Sequence, residues 1–296
     1  TKAISQLEQE IADMKEILSS ARKLKNVIIQ ELQEVSKKYG QPRKTEILYQ
    51  VAEAEQEDEE ENIPDYPVTV FLSKEGYLKK ITAQSLRMSG EQKFKEGDSL
   101  LFSQEATNRA DLLVFTDQFQ CYKSRLSEFE DGKASQLGDY LPQKLGMEQG
   151  ESVISVVLTQ DYSGFVLFFF ENGKVAKVPL NAYETKTNRK KLTGAFSDKS
   201  PVVKIFSLDA DAQIAMYSSD GRAMIFSTAD LLPKTTRNTQ GVAVMSLKKK
   251  AQADRAVLLA DSGIANAARY RCKAVPAAGA LVKEEDSGNK QIEFAL

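Results

Sequence analysis

The stretch LFFFENGKVAKVPL, residues 167–180, is an apolar run, an Asn172-Gly173 pair and then a segment carrying lysines. An apolar run ending in Asn-Gly predicts a β-hairpin, because a type I′ turn needs two residues that tolerate positive φ. The pattern recurs. Aligned on the turn, VFLSKEGYLKKI (70–81), LVFTDQFQCYKSRL (113–126), AMYSSDGRAMIFST (215–228) and VLLADSGIANAARY (257–270) are further copies. The turn positions are Gly76, Phe119, Gly173, Gly221 and Gly263, at spacings of 43, 54, 48 and 42 residues. Phe119 stands where the others have Gly, which puts the geometry of that turn in question.

A period near this length, with hairpins and no helical pattern between them, predicts a propeller-like ring of small sheets. Segments such as SVISVVLTQ (152–160) and PVVKIFSL (201–208) supply further strands, about four per unit. The fold class expected is therefore mainly β, with about five or six four-stranded blades. An irregular β-sandwich with similar turns is the plainer alternative, and five copies at near-even spacing count against it.

Upstream of the repeats, Ile4, Leu7, Ile11, Met14 and Leu18 follow a three-and-four spacing. Leu24, Ile28, Leu32 and Val35 resume it after a slip near Ala21. One long amphipathic helix over 1–40 is expected, with the slip as a coiled-coil stutter and Gly40 and Pro42 ending it. As a structural element it carries packing rather than chemistry. The following segment, 41–66, contains Glu53, Glu55, Glu57, Asp58, Glu59, Glu60, Glu61 and Asp65. Such a run repels itself and reads as an acidic linker, which could also compete with nucleic acid for a basic face. Residues 67–296 are then the β unit.

Composition narrows the chemistry. The 296 residues are 42% hydrophobic and 28% charged, as in a soluble globular protein, and no apolar run is long enough to span a bilayer. The sequence begins at Thr1 without a basic and apolar leader, so it reads as a piece of a longer polypeptide. Histidine is absent, which removes the usual general base and the commonest metal ligand; no catalytic or metal residue is assigned and no cofactor is expected. Cys121 and Cys272 form no CxxC pair, pointing to a reducing cytoplasm. Net charge is −2, but unevenly placed: 1–66 hold 9 Lys and Arg against 15 Asp and Glu, leaving 31 against 27 in 67–296.

The junction KKYGQPRKTEI (37–47), following EILSSARKLKNVIIQEL (16–32), resembles the end of the coiled-coil arm in the A subunit of bacterial type IIA topoisomerases. The repeats are similar to that subunit's C-terminal domain, most closely in LSKEGYLKKI (72–81), TNRKKLTGAF (187–196) and RNTQGVAVMSL (237–247). The resemblance implies a β-pinwheel, a disc of strand-exchanging blades that bends DNA around a basic outer rim. It also implies that the nucleophilic tyrosine lies ahead of the arm, so this chain does not cleave DNA. The partners implied are double-stranded DNA, the rest of the A subunit, plus the ATPase B subunit of an ATP-dependent enzyme in the bacterial cytoplasm, at the nucleoid. The basic box QRRGGKG of gyrase does not occur; RMSGEQKFKEGD (87–98) follows the first copy instead. That departure favours topoisomerase IV-like relaxation and decatenation, with a diverged gyrase as the other possibility.

Wrapping DNA without reading its sequence needs cations along a curved face to meet successive phosphates. The candidates following the turns are Lys79, Lys80, Lys123, Arg125, Lys174, Lys177, Arg222, Arg269, Arg271 and Lys273. Between repeats lie Lys186, Arg189, Lys190, Lys191, Arg237, Lys248, Lys249 and Lys250. Any one of them can be an ordinary solvated side chain; recurrence at one place in successive repeats is the argument for the set. A surplus of +4 over 67–296 is modest for a nucleic-acid binder, so the rim must segregate its cations from the acids. The alternative is a propeller that docks proteins without wrapping DNA, which requires an exposed apolar patch and salt-tolerant binding. A propeller enzyme with a central carboxylate site is the third reading, disfavoured by the missing histidine and the absence of clustered acids in the strands.

Overall fold

In the computed structural model the described residues are 2–41, 63–89, 91–185 and 190–286. The chain divides into two units, 1–61 and 62–296. Nearly all of the acidic segment, 42–62, lies outside the described residues, as do Lys186 and Arg189.

The first unit contains two helices, α1 (Lys2–Ser19) and α2 (Ala21–Tyr39), where the periodicity predicted one. The chain leaves helical conformation at Ser20, with φ −123° and ψ 108°, at the slip in the apolar pattern. A stripe that must shift its face costs less as a break than as an overwound helix. Gly40 ends α2, as expected, its N–H donating to the Ser36 carbonyl. The apolar residues Ile4, Leu7, Ile11, Met14, Leu18, Leu24, Ile28, Leu32 and Val35 are all exposed.

Among the described residues the second unit is built from 16 strands in four antiparallel sheets of four. Four hairpins supply the middle of each sheet: β1 (Pro67–Ser73) with β2 (Tyr77–Thr82), β4 (Asp111–Thr116) with β5 (Cys121–Arg125), β8 (Phe165–Phe170) with β9 (Lys174–Pro179), and β12 (Gln213–Ser218) with β13 (Arg222–Ser227). Each first strand then pairs with a strand C-terminal to its own hairpin: β3 (Leu100–Thr107), β7 (Val153–Thr159), β11 (Val202–Leu208) and β15 (Ala253–Leu258). The last strand of every sheet is only two residues long and comes from further along the chain: β6 (Asp139–Tyr140), β10 (Lys191–Leu192), β14 (Val242–Ala243) and β16 (Ala280–Leu281). In the first three sheets, chain that has already built the next hairpin returns to complete the sheet before it; in the fourth, the return follows the short helical segment beyond β15. This exchange makes the fold a β-pinwheel, of four blades among the described residues.

The fifth sequence copy therefore makes no blade. Its apolar half is already used, since Val257 and Leu258 lie in β15 and pair with Ala215 and Ile214 of the fourth sheet. Beyond Gly263 the segment is rich in alanine and forms a short helix, α3 (Ala267–Tyr270), instead of a second strand. Residues 259–270 cover the outer face of the fourth sheet, where Tyr270 packs with Ala215, Tyr217, Ala223 and Ile225. Asp286 holds this cover by accepting from the N–H groups of Ala265 and Asn266 and from the Tyr270 hydroxyl.

Three apolar cores lie between successive sheets. Val70, Leu72, Leu112 and Val114 join the first to the second; Phe115, Phe168, Phe196 and Tyr183 join the second to the third; Phe169, Phe226, Met216 and Leu167 join the third to the fourth. The opening sequence run explains itself here. Phe168 and Phe170 face one core while Leu167 and Phe169 face the other, so β8 is apolar on both sides. The turn at Phe119 keeps the geometry of the glycine turns at a cost: its φ is 58°, and its ring packs edge-on against Phe196 at 5.3 Å.

Glycine matters most just ahead of the return strands. Gly138, Gly241 and Gly279 precede β6, β14 and β16, with φ of 93°, 72° and 69°. A Cβ on each would run into the carbonyls of Leu78, Val175 and Ala223 on the strand that the return strand joins. The TQGVAV stretch noted in the sequence is one of these seats.

Candidate nucleic-acid interface

The residue four positions past each turn is Lys80, Lys123, Lys177 and Ile225. At each of them the returning chain is pinned through the backbone. The Gly132, Lys234 and Cys272 N–H groups donate to the carbonyls of Lys80, Lys177 and Ile225, at 2.7, 2.8 and 2.9 Å; the Lys123 N–H donates to the Lys190 carbonyl at 2.8 Å.

The three lysine side chains point inward. Lys80 Nζ donates to Asn108 Oδ1 at 2.7 Å and pairs with Asp131 Oδ1 at 3.1 Å; Asp131 in turn accepts from the Tyr66 hydroxyl. Lys177 Nζ donates to Asp211 Oδ1 at 2.7 Å and to the Thr228 carbonyl at 3.0 Å, with the Phe165 ring centroid 4.5 Å away. Lys123 Nζ donates to Thr185 Oγ1 at 3.2 Å and sits 5.0 Å from the Tyr162 ring centroid, and its pKa is lowered mainly by burial. Lys79 is also internal, its ammonium donating to the carbonyls of Lys93 and Ala134 beside the Phe94 ring. Burial lowers its pKa as well.

Three expected rim cations are thus corrected: Lys79, Lys80 and Lys177 are 2%, 3% and 5% exposed, and their charges are satisfied inside the protein. The recurrence of Lys80 and Lys177 at one repeat position is a fact of blade packing.

Other candidates are half-buried and engaged. Arg125 pairs with Asp111, and Lys174 donates to Gln240. Arg222 lies beside Asp220 and donates to the Gly279 carbonyl, Arg237 donates to the Ala182 carbonyl, and Lys191 pairs with Glu148. That pairing raises the Lys191 pKa and lowers that of Glu148. Lys190, Lys248, Lys249, Lys250, Arg269, Arg271 and Lys273 are exposed. Of these Arg271 donates to Gln213 and Lys248 lies 3.8 Å from Asp220.

The backbone pins also reveal a set that the sequence concealed. At or next to each pinned point stands one exposed lysine: Lys133 beside Gly132, Lys190, Lys234, and Lys273 beside Cys272. None of the four is in an ion pair with a described residue. Lys133, Lys234 and Lys273 lie at or one residue past the docking N–H on the first, third and fourth sheets, whereas Lys190 docks through its carbonyl directly ahead of β10 on the second; together they spread exposed cations over four successive sheets, which is what a track of phosphates requires. Lys133 and Lys234 were missed in the sequence because their placement depends on where the return segments dock, a long-range pairing with no local signature. Among the described residues no group of three acids or cysteines is arranged to hold a metal, and no helix is long and apolar enough to cross a membrane.

No family model matches the chain. It is homologous to the A subunit of DNA topoisomerase 4 from Staphylococcus aureus, being 27% identical over 248 residues, which is 82% of this chain and 31% of that protein. It therefore spans about a third of the length of the curated relatives it matches. Among solved structures it is similar to the C-terminal domain of DNA topoisomerase IV, with TM-score 0.58 and 24% identity, over 68% of this chain and 64% of that one. It is also similar to the DNA gyrase A C-terminal domain, with TM-score 0.50 and 17% identity over 74% and 80%. The E. coli ParC C-terminal domain gives TM-score 0.52 and 15% identity over 66% and 80%. The likeness to topoisomerase A subunits and the pinwheel fold inferred from the sequence both hold.

Proposed function

We propose that this chain binds duplex DNA without reading its sequence and bends it across the rim, as the C-terminal module of the A subunit of a type IIA topoisomerase. The spread of the exposed Lys133, Lys190, Lys234 and Lys273 over four successive sheets, each at or beside a residue that docks on the hairpin backbone, carries the reading, and the similarity to the topoisomerase IV protein supports it. Bending a short site costs roughly 1 to 6 kcal/mol, so several phosphate contacts must act together. Lys249 and Lys250, in the loop between β14 and β15, and Arg269, in α3, add cations to the last two sheets.

On this reading residues 1–40 end the coiled-coil arm, 41–66 link it to the DNA-binding unit, and 67–296 hold the DNA. The partners are the rest of the A subunit, together with the ATPase B subunit, in the bacterial cytoplasm. The missing gyrase-type box favours relaxation and decatenation as the parent reaction, with a diverged gyrase as the other reading.

The test is binding to random-sequence duplex DNA over a salt series, with Lys133, Lys190, Lys234 and Lys273 changed to alanine singly and together. Affinity should fall with salt, and the slope of log K against log salt should shrink by about 0.9 for each lysine removed. A slope that the four substitutions leave unchanged would sink the proposed track. Salt-tolerant binding of a protein, with no DNA binding at low salt, would return the reading to a docking propeller.

A further inference from the structure

Lys80, Lys123 and Lys177 share more than a repeat position: each reaches from its own sheet to both ends of the next hairpin. Lys80 meets Asn108, which precedes β4, and Asp131, which follows β5. Lys123 meets Tyr162, ahead of β8, and Thr185, beyond β9. Lys177 meets Asp211, ahead of β12, and Thr228, immediately after β13. In the third case the two ends are also tied together, Thr228 Oγ1 donating to the same Asp211 oxygen at 2.7 Å. The fourth hairpin has Ile225 at this position, and among the described residues no fifth hairpin follows it.

Apolar cores hold neighbouring sheets together, but burial is non-directional and leaves their mutual angle loosely specified. A buried ammonium with directed partners on both ends of the neighbouring hairpin fixes that angle. We propose that Lys80, Lys123 and Lys177 are positioning residues that set the angle between successive sheets, and so the curvature of the DNA path over the exposed lysines. The proposal rests on the DNA-binding reading given above. It explains why lysines recur at an inward-pointing repeat position, engaged by the next hairpin, and why the series stops at the last full blade.

The experiment uses the whole chain and a short duplex carrying a donor and an acceptor dye at its ends, with Lys177→Met, Lys177→Arg and Asp211→Asn. For the wild type, energy transfer should rise on binding as the ends approach. Lys177→Met and Asp211→Asn should bind with an unchanged salt slope, because Lys177 touches no phosphate, while energy transfer drops toward the free-duplex value. Lys177→Arg, which keeps the charge, should restore part of it. A salt slope smaller by about 1 in Lys177→Met would overturn the proposal by making the lysine a direct DNA contact. Full energy transfer in both charge-removing variants, with only a lowered Tm, would overturn it by leaving a purely stabilising role. Should Lys177→Met not fold, Asp211→Asn carries the comparison. A wild type that binds no DNA sinks the rim reading itself, and one that binds without bending sinks the curvature role alone.

Discussion

Lys177 Nζ and Asp211 Oδ1 are 2.7 Å apart across the junction between the third and fourth sheets, with the lysine side chain 4% exposed and the aspartate 42% exposed. The pair is asymmetric: one charge is out of water and the other is half in it. Asp211→Ala would leave the ammonium inside with the Thr228 carbonyl as its one remaining hydrogen-bond acceptor and the Phe165 ring beside it. The expected loss of stability is about 2 kcal/mol, below the cost of breaking a fully buried pair because water reaches Asp211. Urea denaturation with an unchanged m-value checks it.

Acid should loosen the same junction and the C-terminal cover together. The hydrogen bond from Lys177 holds the Asp211 carboxyl below the ordinary aspartate range, and backbone N–H donation and the Tyr270 hydroxyl do the same for Asp286. A carboxylate whose pKa is depressed on folding contributes stability that is present above its unfolded value, near 3.9, and is lost as pH falls through the folded value. Thermal stability should therefore be flat on this account above about pH 5 and drop below about pH 4. Asp286→Asn should flatten that acid limb, and a limb of undiminished slope would contradict the assignment.

Gly241 and Gly221 have similar backbone angles, φ 72° and 76°, in different surroundings. Nothing lies within 4 Å of a Cβ placed on Gly221, whereas one on Gly241 meets the Val175 carbonyl. Gly221→Ala should cost only the left-handed conformation, about 1 kcal/mol. Gly241→Ala should cost at least about twice that, since the return strand must also move off its sheet. Differential scanning calorimetry on the two variants gives the order directly.

The two cysteines should differ in reactivity. Cys121 is wholly buried, and desolvation pushes its thiol up to about 12, while Cys272 is half-buried with a smaller upward shift from the same cause. A thiol reagent should modify Cys272 slowly in the native protein and Cys121 only after unfolding. Two rapidly reacting thiols would contradict the packing between the second and third sheets.

Much of this was legible in the sequence because it is local. Asn172-Gly173 marks a hairpin by turn stereochemistry, and the apolar run ahead of it marks a strand buried on both faces. The break near Ala21 was visible as a slip in the stripe, although it is a helix end at Ser20 and not a stutter. Periodicity overcounted the blades for a physical reason. The VLL of the fifth copy looks like the start of a hairpin, but two of its three residues belong to β15 at the edge of the fourth sheet.

The interface was the least legible part. Lys80 and Lys177 read as rim cations because a lysine is ordinarily exposed and theirs recur in register, yet both are enclosed by partners from the next repeat. Lys133 and Lys234 looked like unremarkable loop residues until the backbone bonds of Gly132 to Lys80 and of Lys234 to Lys177 placed both at the docking points of the return segments. By itself the sequence determined the hairpins, the β class and the family likeness, since turn chemistry and alternating apolar residues act over a few positions. Only the tertiary structure decided how many blades form, which lysines face water and which lock one sheet to the next, because each of those depends on a two-residue strand returning to pair with a hairpin from the repeat before it.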